Sequence, residues 1–194
     1  VHNLGQNFSK AFDVTYETES GTREHVWQTC YGIFAGRPLV GVLGAHGDDN
    51  GAVLPPAVAP VQAVVVPIPH KEMEKKIAKT CRNVASRLKK AGIRVEVDLR
   101  EDLTPGSKFY YWELRGVPIR IEIGPRDIKQ KGVTLVRRDK FERQAFQTNR
   151  LVAQMKKLMN QMTKEMRQSA WEWMNAHVYR IDDLGAAKKL IRRR

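Results

Sequence analysis

Four charged residues, Glu113, Arg120, Arg126 and Asp127, fall within fifteen positions and follow the aromatic run Lys108-Phe109-Tyr110-Tyr111-Trp112. Together these types can hold an unpaired nucleobase. Ring faces beside positive charge stack bases and attract phosphate. A guanidinium matches the O6/N7 edge of guanine, and a carboxylate matches the donors on its opposite edge. Strand alternation puts Arg120 and Glu122 on one face, and a Gly124-Pro125 turn brings Arg126 and Asp127 just past the end of that strand.

Other chemistries find less support. The chain has 194 residues and a formal net charge of +13, unevenly placed: −3 on residues 1–60 and +16 on residues 61–194. Charge segregated in this way suits a polyanion partner on the C-terminal two-thirds. A second basic feature is the end of the chain, where Lys188, Lys189, Arg192, Arg193 and Arg194 give five basic residues in seven; they read as a polyanion-contacting arm or as a solvated end. Cys30 and Cys81 stand far apart, which implies neither a metal site nor a disulfide framework, and both are expected reduced and partly buried. Asp48-Asp49 could suggest a metal but suits a turn or cap better. No nucleophile triad or phosphate-binding glycine loop is present, and no apolar run approaches the ~18 residues of a membrane span. The chain begins Val-His rather than Met, as a fragment or the ordered part of a longer product would.

The elements that must position these groups follow from periodicity. Val61 to Ile68, apolar but for Gln62, reads as a buried central strand. Met73, Ile77, Cys81, Val84 and Leu88 recur at helical spacing up to Gly92, and the opposite face carries Lys71, Lys75, Lys76, Lys79, Arg82, Arg87, Lys89 and Lys90. Strands over 93–98, 117–123 and 133–138 and a short helix over 105–115 complete a β-α-β-α-β-β order. The fold class is α/β: a mixed sheet with flanking helices. A long helix over 148–178 carries the stripe Leu151, Met155, Leu158, Met162, Met166, Ala170, Trp173 and His177. Upstream, residues 1–54 read as a partial domain: a strand over 11–17, a turn at Ser20-Gly21-Thr22, a second strand over 25–31, and a short apolar helix starting near Pro38. A hairpin and one helix make no core, so this part is expected to pack on protein not present here. Leu54 to Pro60 is Pro-rich and reads as an extended linker. The expected organisation is therefore a partial domain over 1–54, a linker over 55–60, a base-binding domain over 61–145, and a long helix with basic tail over 146–194.

Two segments carry a resemblance. Tyr111-Trp112-Glu113-Leu114-Arg115-Gly116-Val117-Pro118-Ile119-Arg120-Ile121-Glu122-Ile123-Gly124-Pro125-Arg126-Asp127 resembles the anticodon-binding domain of archaeal and eukaryotic-type prolyl-tRNA synthetases. His46-Gly47-Asp48-Asp49-Asn50-Gly51-Ala52-Val53-Leu54-Pro55-Pro56 resembles the end of their catalytic domain, in matching order and spacing. The resemblance implies that Phe109 stacks on an anticodon guanine and that Glu113, Arg120, Arg126 and Asp127 bond the bases. Tyr110-Tyr111 departs from the Asn-His frequent in relatives. The third class II motif is altered: Cys30-Tyr31-Gly32 stands for Ser-Trp-Gly, and one residue is inserted before Arg37. His2 matches a family histidine near the proline site. The first two motifs are absent, so this chain alone is not expected to aminoacylate and needs no cofactor; ATP and magnesium would belong to a complete synthetase. The reading is an RNA-binding descendant of the synthetase, non-catalytic, within a larger ribonucleoprotein such as a mitochondrial ribosome. The alternative is the C-terminal part of an active, cytoplasmic prolyl-tRNA synthetase that recognises the proline anticodon. The partners implied are RNA (tRNA or ribosomal RNA) and either other protein subunits or the missing catalytic half on residues 1–54, with no membrane.

Overall fold

The structure, a computed structural model, describes residues 1–32 and 36–191. It divides into two units, Val1–Gly41 and Val42–Arg194.

The first unit contains β1 (His2–Gly5), α1 (Asn7–Ala11), β2 (Thr15–Glu17), β3 (Arg23–His25) and β4 (Gln28–Cys30). The expected hairpin forms between β2 and β3, in the register Thr15–His25 to Glu17–Arg23. The strand bounds differ from those expected. Ala11 ends a helix rather than opening a strand. The second strand is divided, because β4 turns away to pair with β1. Among the described residues of this unit only Ser9 is buried. Phe12 and Trp27 are 75% and 70% exposed, so the described residues of the unit form no hydrophobic core of their own.

α2 (Gly36–His46) leads into the second unit, followed by β5 (Ala63–Pro67), α3 (Glu74–Lys90), β6 (Val95–Val97), α4 (Pro105–Leu114), β7 (Ile119–Ile123), α5 (Pro125–Lys129), β8 (Gly132–Arg137), β9 (Arg143–Gln147), α6 (Leu151–His177) and α7 (Leu184–Ile191). The five strands form one mixed sheet in the order β6-β5-β7-β8-β9. β5 is parallel to β6 and β7, whereas β7–β8 and β8–β9 are antiparallel. β5 lies between β6 and β7 and is buried on both faces, as its unbroken apolar run requires. One sheet face, with Ala63, Val65, Ile119, Ile121, Ile123 and Leu135, packs against Ile77, Cys81, Val84 and Leu88 of α3 and against Leu151, Met155, Leu158 and Met162 of α6. On the other face Val64 and Val66 pack against Phe109 and Trp112 of α4. The two helix layers therefore lie on opposite faces of the sheet.

Caps and turns hold the ends. α3 stops as Gly92 takes a positive φ of 81°, which costs glycine little. Thr104 caps α4, its hydroxyl oxygen accepting from the Ser107 N–H at 3.2 Å, with Pro105 in the first turn. Gly116 (φ 69°) lies where a Cβ would come within 2.8 Å of Ala52. That close approach lets the Ala52 and Leu54 N–H groups donate to the carbonyls of Leu114 and Gly116. The Pro-rich segment, expected to be an extended linker, is packed: Ala59 is fully buried, and the Arg94 guanidinium donates to the carbonyls of Pro56, Ala57 and Ala59. No helix among the described residues is long and apolar enough to cross a membrane.

Candidate nucleic-acid interface

β7 sends Ile119, Ile121 and Ile123 into the core and leaves Arg120 and Glu122 on the α4 face, as alternation demands. Arg120 is the hub. Its guanidinium lies over the Phe109 ring at 3.9 Å, its Nε donates to Glu122 at 3.0 Å, and its Nη1 donates to Glu113. The other oxygen of Glu122 accepts from Arg143 on β9. A guanidinium has five N–H donors in one plane, so two carboxylates and a ring fix the plane of Arg120 and still leave donors for a ligand. Its side chain is 11% exposed, against 60% for Arg143. The sequence had placed Phe109, Glu113 and Arg120 in one site, and the structure brings them together. It adds Glu122 and Arg143. The Glu122 face was legible from alternation, whereas Arg143 sits on a strand not anticipated in so polar a stretch.

The remaining expected residues are arranged differently. Asp127 turns inward at the start of α5: its Oδ2 accepts from the Gly124 N–H at 2.9 Å and its Oδ1 from the Thr134 hydroxyl at 3.0 Å. This carboxylate fixes the turn beyond β7. Arg126 is exposed at the same turn, with no ion pair among the described residues. The other rings of the run are not equivalent. The Tyr111 ring lies between the guanidiniums of Arg115 (3.6 Å) and Arg100 (4.2 Å). Trp112 meets Tyr111 edge-on and donates its indole N–H to Asp98 at 2.8 Å. Tyr110 is 71% exposed and presents an open ring. Behind them, burial pushes the Asp98 carboxyl up, but hydrogen bonds from Arg100 and Trp112 outweigh it and hold it down at about 2. Behind α4, Arg138 is buried and grips Asp48 through two bonds of 2.6 and 2.7 Å while donating to the Glu113 carbonyl at 3.0 Å. The two segments that carry the sequence resemblance are thus joined. Asp48 also accepts from the Asn50 N–H, closing its turn.

The remaining site expectations fall elsewhere. In the first unit His2 and Cys30 are register partners across β1 and β4. Cys30 is exposed and Tyr31 is 84% exposed, whereas Cys81 is buried in the core, where burial pushes its thiol up to about 12. Ile33 to Ala35, within the altered motif before Arg37, lie outside the described residues, as do Arg192, Arg193 and Arg194 of the tail; Lys188 and Lys189 are exposed on α7. Among the described residues no group of three His, Cys, Asp or Glu side chains converges as a metal site.

The chain matches the family described as "Anticodon binding domain" over residues 62–158. It is 46% identical over 189 residues to the proline–tRNA ligase of Pyrococcus abyssi, covering 97% of this chain and 39% of that protein. It is 46% identical over 193 residues to the proline–tRNA ligase of Pyrobaculum aerophilum (99% and 39%), and 43% identical over 196 residues to that of Ignicoccus hospitalis (100% and 41%). The chain spans about two-fifths of the length of these relatives.

Proposed function

We propose a function from one premise: this chain belongs to the family of anticodon-binding domains, in the form found in prolyl-tRNA synthetases. The chain acts as the anticodon-recognising part of a proline–tRNA ligase. The observation that carries this is Arg120, stacked on Phe109 and held in plane by Glu113 and Glu122. A guanidinium fixed in this way presents its remaining donors to a guanine O6/N7 edge. Glu113 lies beside it as an acceptor for the opposite edge, and Tyr110 offers a ring to a neighbouring base. Arg143 and Arg126 flank the site as phosphate contacts. ATP, magnesium and proline would be bound by a complete catalytic domain, of which Val1–Gly41 would be a part and whose remainder would cover its exposed apolar side chains. The relatives favour this reading over a component of a mitochondrial ribosome, since those named above are all proline–tRNA ligases.

The test is binding of the chain to a proline-tRNA anticodon stem-loop. Arg120→Ala should cost about 1–3 kcal/mol of binding, the worth of one bidentate base contact. The cost should vanish when the two anticodon guanines are replaced. Equal binding of guanine-containing and guanine-free loops by the unsubstituted chain would overturn the reading.

A further inference from the structure

On the opposite side of the sheet from Arg120, α3 and α6 present an outer surface with an uncompensated charge. Between positions 75 and 90 α3 contains Lys75, Lys76, Lys79, Arg82, Arg87, Lys89 and Lys90, and not one acidic residue. All seven are exposed, and among the described residues none is in an ion pair. α6 adds Lys156, Lys157, Lys164 and Arg167, which are also exposed and unpaired. Both helices bury their apolar stripes against the same sheet face, so these cations lie on the side away from it, with Arg82 at the flank, where it lines a cleft with Glu74, Arg100 and Glu101.

Toward the start of α3 this surface works against its own helix, with Glu74 as the one acidic residue there, whereas Arg87, Lys89 and Lys90 occupy the last turn, where the dipole favours cations. Lys75 and Lys79 are four apart; Lys76 and Lys79, Lys79 and Arg82, and Arg87 and Lys90 are three apart. On a helix such pairs are neighbours, and like charges there are destabilising. Lys75 and Lys76 also occupy the first turn, where the helix dipole disfavours cations. Elsewhere the protein does neutralise its charges: Arg137 and Lys140 share Glu165, and Arg138 takes Asp48.

We propose that the outer surface of α3, extended by α6, is a second RNA-binding site that grips the phosphate backbone of structured RNA independently of sequence. This rests on the RNA-binding reading above but assigns a different face and a different chemistry. α3 is about 26 Å long at 1.5 Å per residue, long enough to follow several phosphates of a duplex. Its outward positions hold no aromatic ring for base stacking, so it supplies charge alone. A membrane-lying helix keeps an apolar face free for lipid, whereas the apolar face of α3 is used up in the core. The Arg120 site would then hold loop bases while this surface holds helical backbone, of the same RNA or of another.

The experiment compares the full chain with a variant carrying Lys75→Gln, Lys79→Gln, Arg82→Gln and Lys89→Gln; glutamine keeps helix propensity, and circular dichroism checks the fold. Two probes are used, a 20-base-pair RNA duplex without loops and the guanine-containing anticodon stem-loop, each titrated across salt concentration. The unsubstituted chain should bind the duplex with a steep salt dependence. The variant should lose roughly tenfold to a hundredfold on the duplex, and its log–log salt slope should flatten by about 2–4. Its affinity for the stem-loop should change less than about threefold, and Arg120→Ala should show the reverse pattern. A variant that binds the duplex like the unsubstituted chain overturns the proposal, as does an unsubstituted chain that binds the stem-loop but not the duplex; the second outcome leaves the anticodon reading standing. Duplex binding by a chain blind to anticodon guanines overturns the anticodon reading and leaves this one. If the four substitutions abolish binding to phosphatidylserine–phosphatidylcholine vesicles and spare the duplex, the surface is membrane-directed and the proposal is wrong.

Discussion

At the scale of single residues, buried charges set the geometry that the exposed ones use. Asp98 shows how. Its side chain is 1% exposed, and it accepts from Arg100 at 2.9 and 2.6 Å and from the Trp112 indole. The Trp112 bond ties the end of β6 to α4, the helix that supplies Phe109 and Glu113. The carboxyl is held at about 2 against an ordinary 3.8. A depressed carboxylate contributes stability above its unfolded value and loses it as pH falls through the folded one. Asp98 should therefore contribute about 2 kcal/mol at neutral pH, lost between about pH 4 and pH 2. Urea unfolding of the protein and of Asp98→Asn should show curves that converge across that window. A gap between them that stays constant from pH 6 down to pH 2 would show that the carboxylate's charge is not the source. Part of this was legible beforehand. The resemblance placed Phe109, Glu113 and Arg120 in one site, and alternation put Glu122 on the same strand face as Arg120. The inward turn of Asp127 was not legible, because a carboxylate three residues into a short helix can cap the turn or face solvent with the same local sequence. Only the packing of Thr134 against it decides.

At the scale of elements, an apolar run identified β5, and apolar periodicity identified α3 and α6. β1, α1 and α7 were not anticipated, and neither were two elements around the sheet. α5 has five residues, too few to show a period. β9 reads Arg-Gln-Ala-Phe-Gln and is an edge strand with no buried residue, so it carries no hydrophobic signal; its pairing with β8 is what makes it a strand. α6 shows the opposite error. The stripe continues in sequence to His177, yet burial ends with Met166: Met155 and Met162 are fully buried, while Trp173 is 66% exposed and stacks on His177 at 4.3 Å. Helical spacing records which side chains share a face, not how far the partner surface extends. Met162→Ala should thus cost about 2–5 kcal/mol, as truncation of a buried Met does, whereas Trp173→Ala should stay within about 0.5 kcal/mol, as exposed substitutions do. Chemical denaturation measures both. Comparable losses would mean that the last turns of α6 are covered in solution.

At the scale of the whole molecule, hydrophobic burial and polarity are divided between the two units. Val42–Arg194 holds both core clusters and both candidate RNA surfaces. Val1–Gly41 buries no apolar side chain among its described residues and leaves Phe8, Phe12, Val14, Tyr16, Trp27 and Tyr31 exposed. Since apolar burial dominates folding stability, the second unit should carry nearly all of it. A protein of residues 42–194 should unfold in one cooperative transition, with a Tm within a few degrees of the 194-residue chain, and should keep its affinity for both RNA probes within about twofold. It should also bind less of the dye ANS, which reports exposed apolar surface. The converse piece, residues 1–41, should be unfolded by circular dichroism, because two ribbons of two strands each fall short of the three or more strands with a buried face that an independent sheet needs. A large fall in Tm on removing residues 1–41 would overturn this division, and would place part of the protein's stabilising contacts on the ribbon that carries His2 and Cys30.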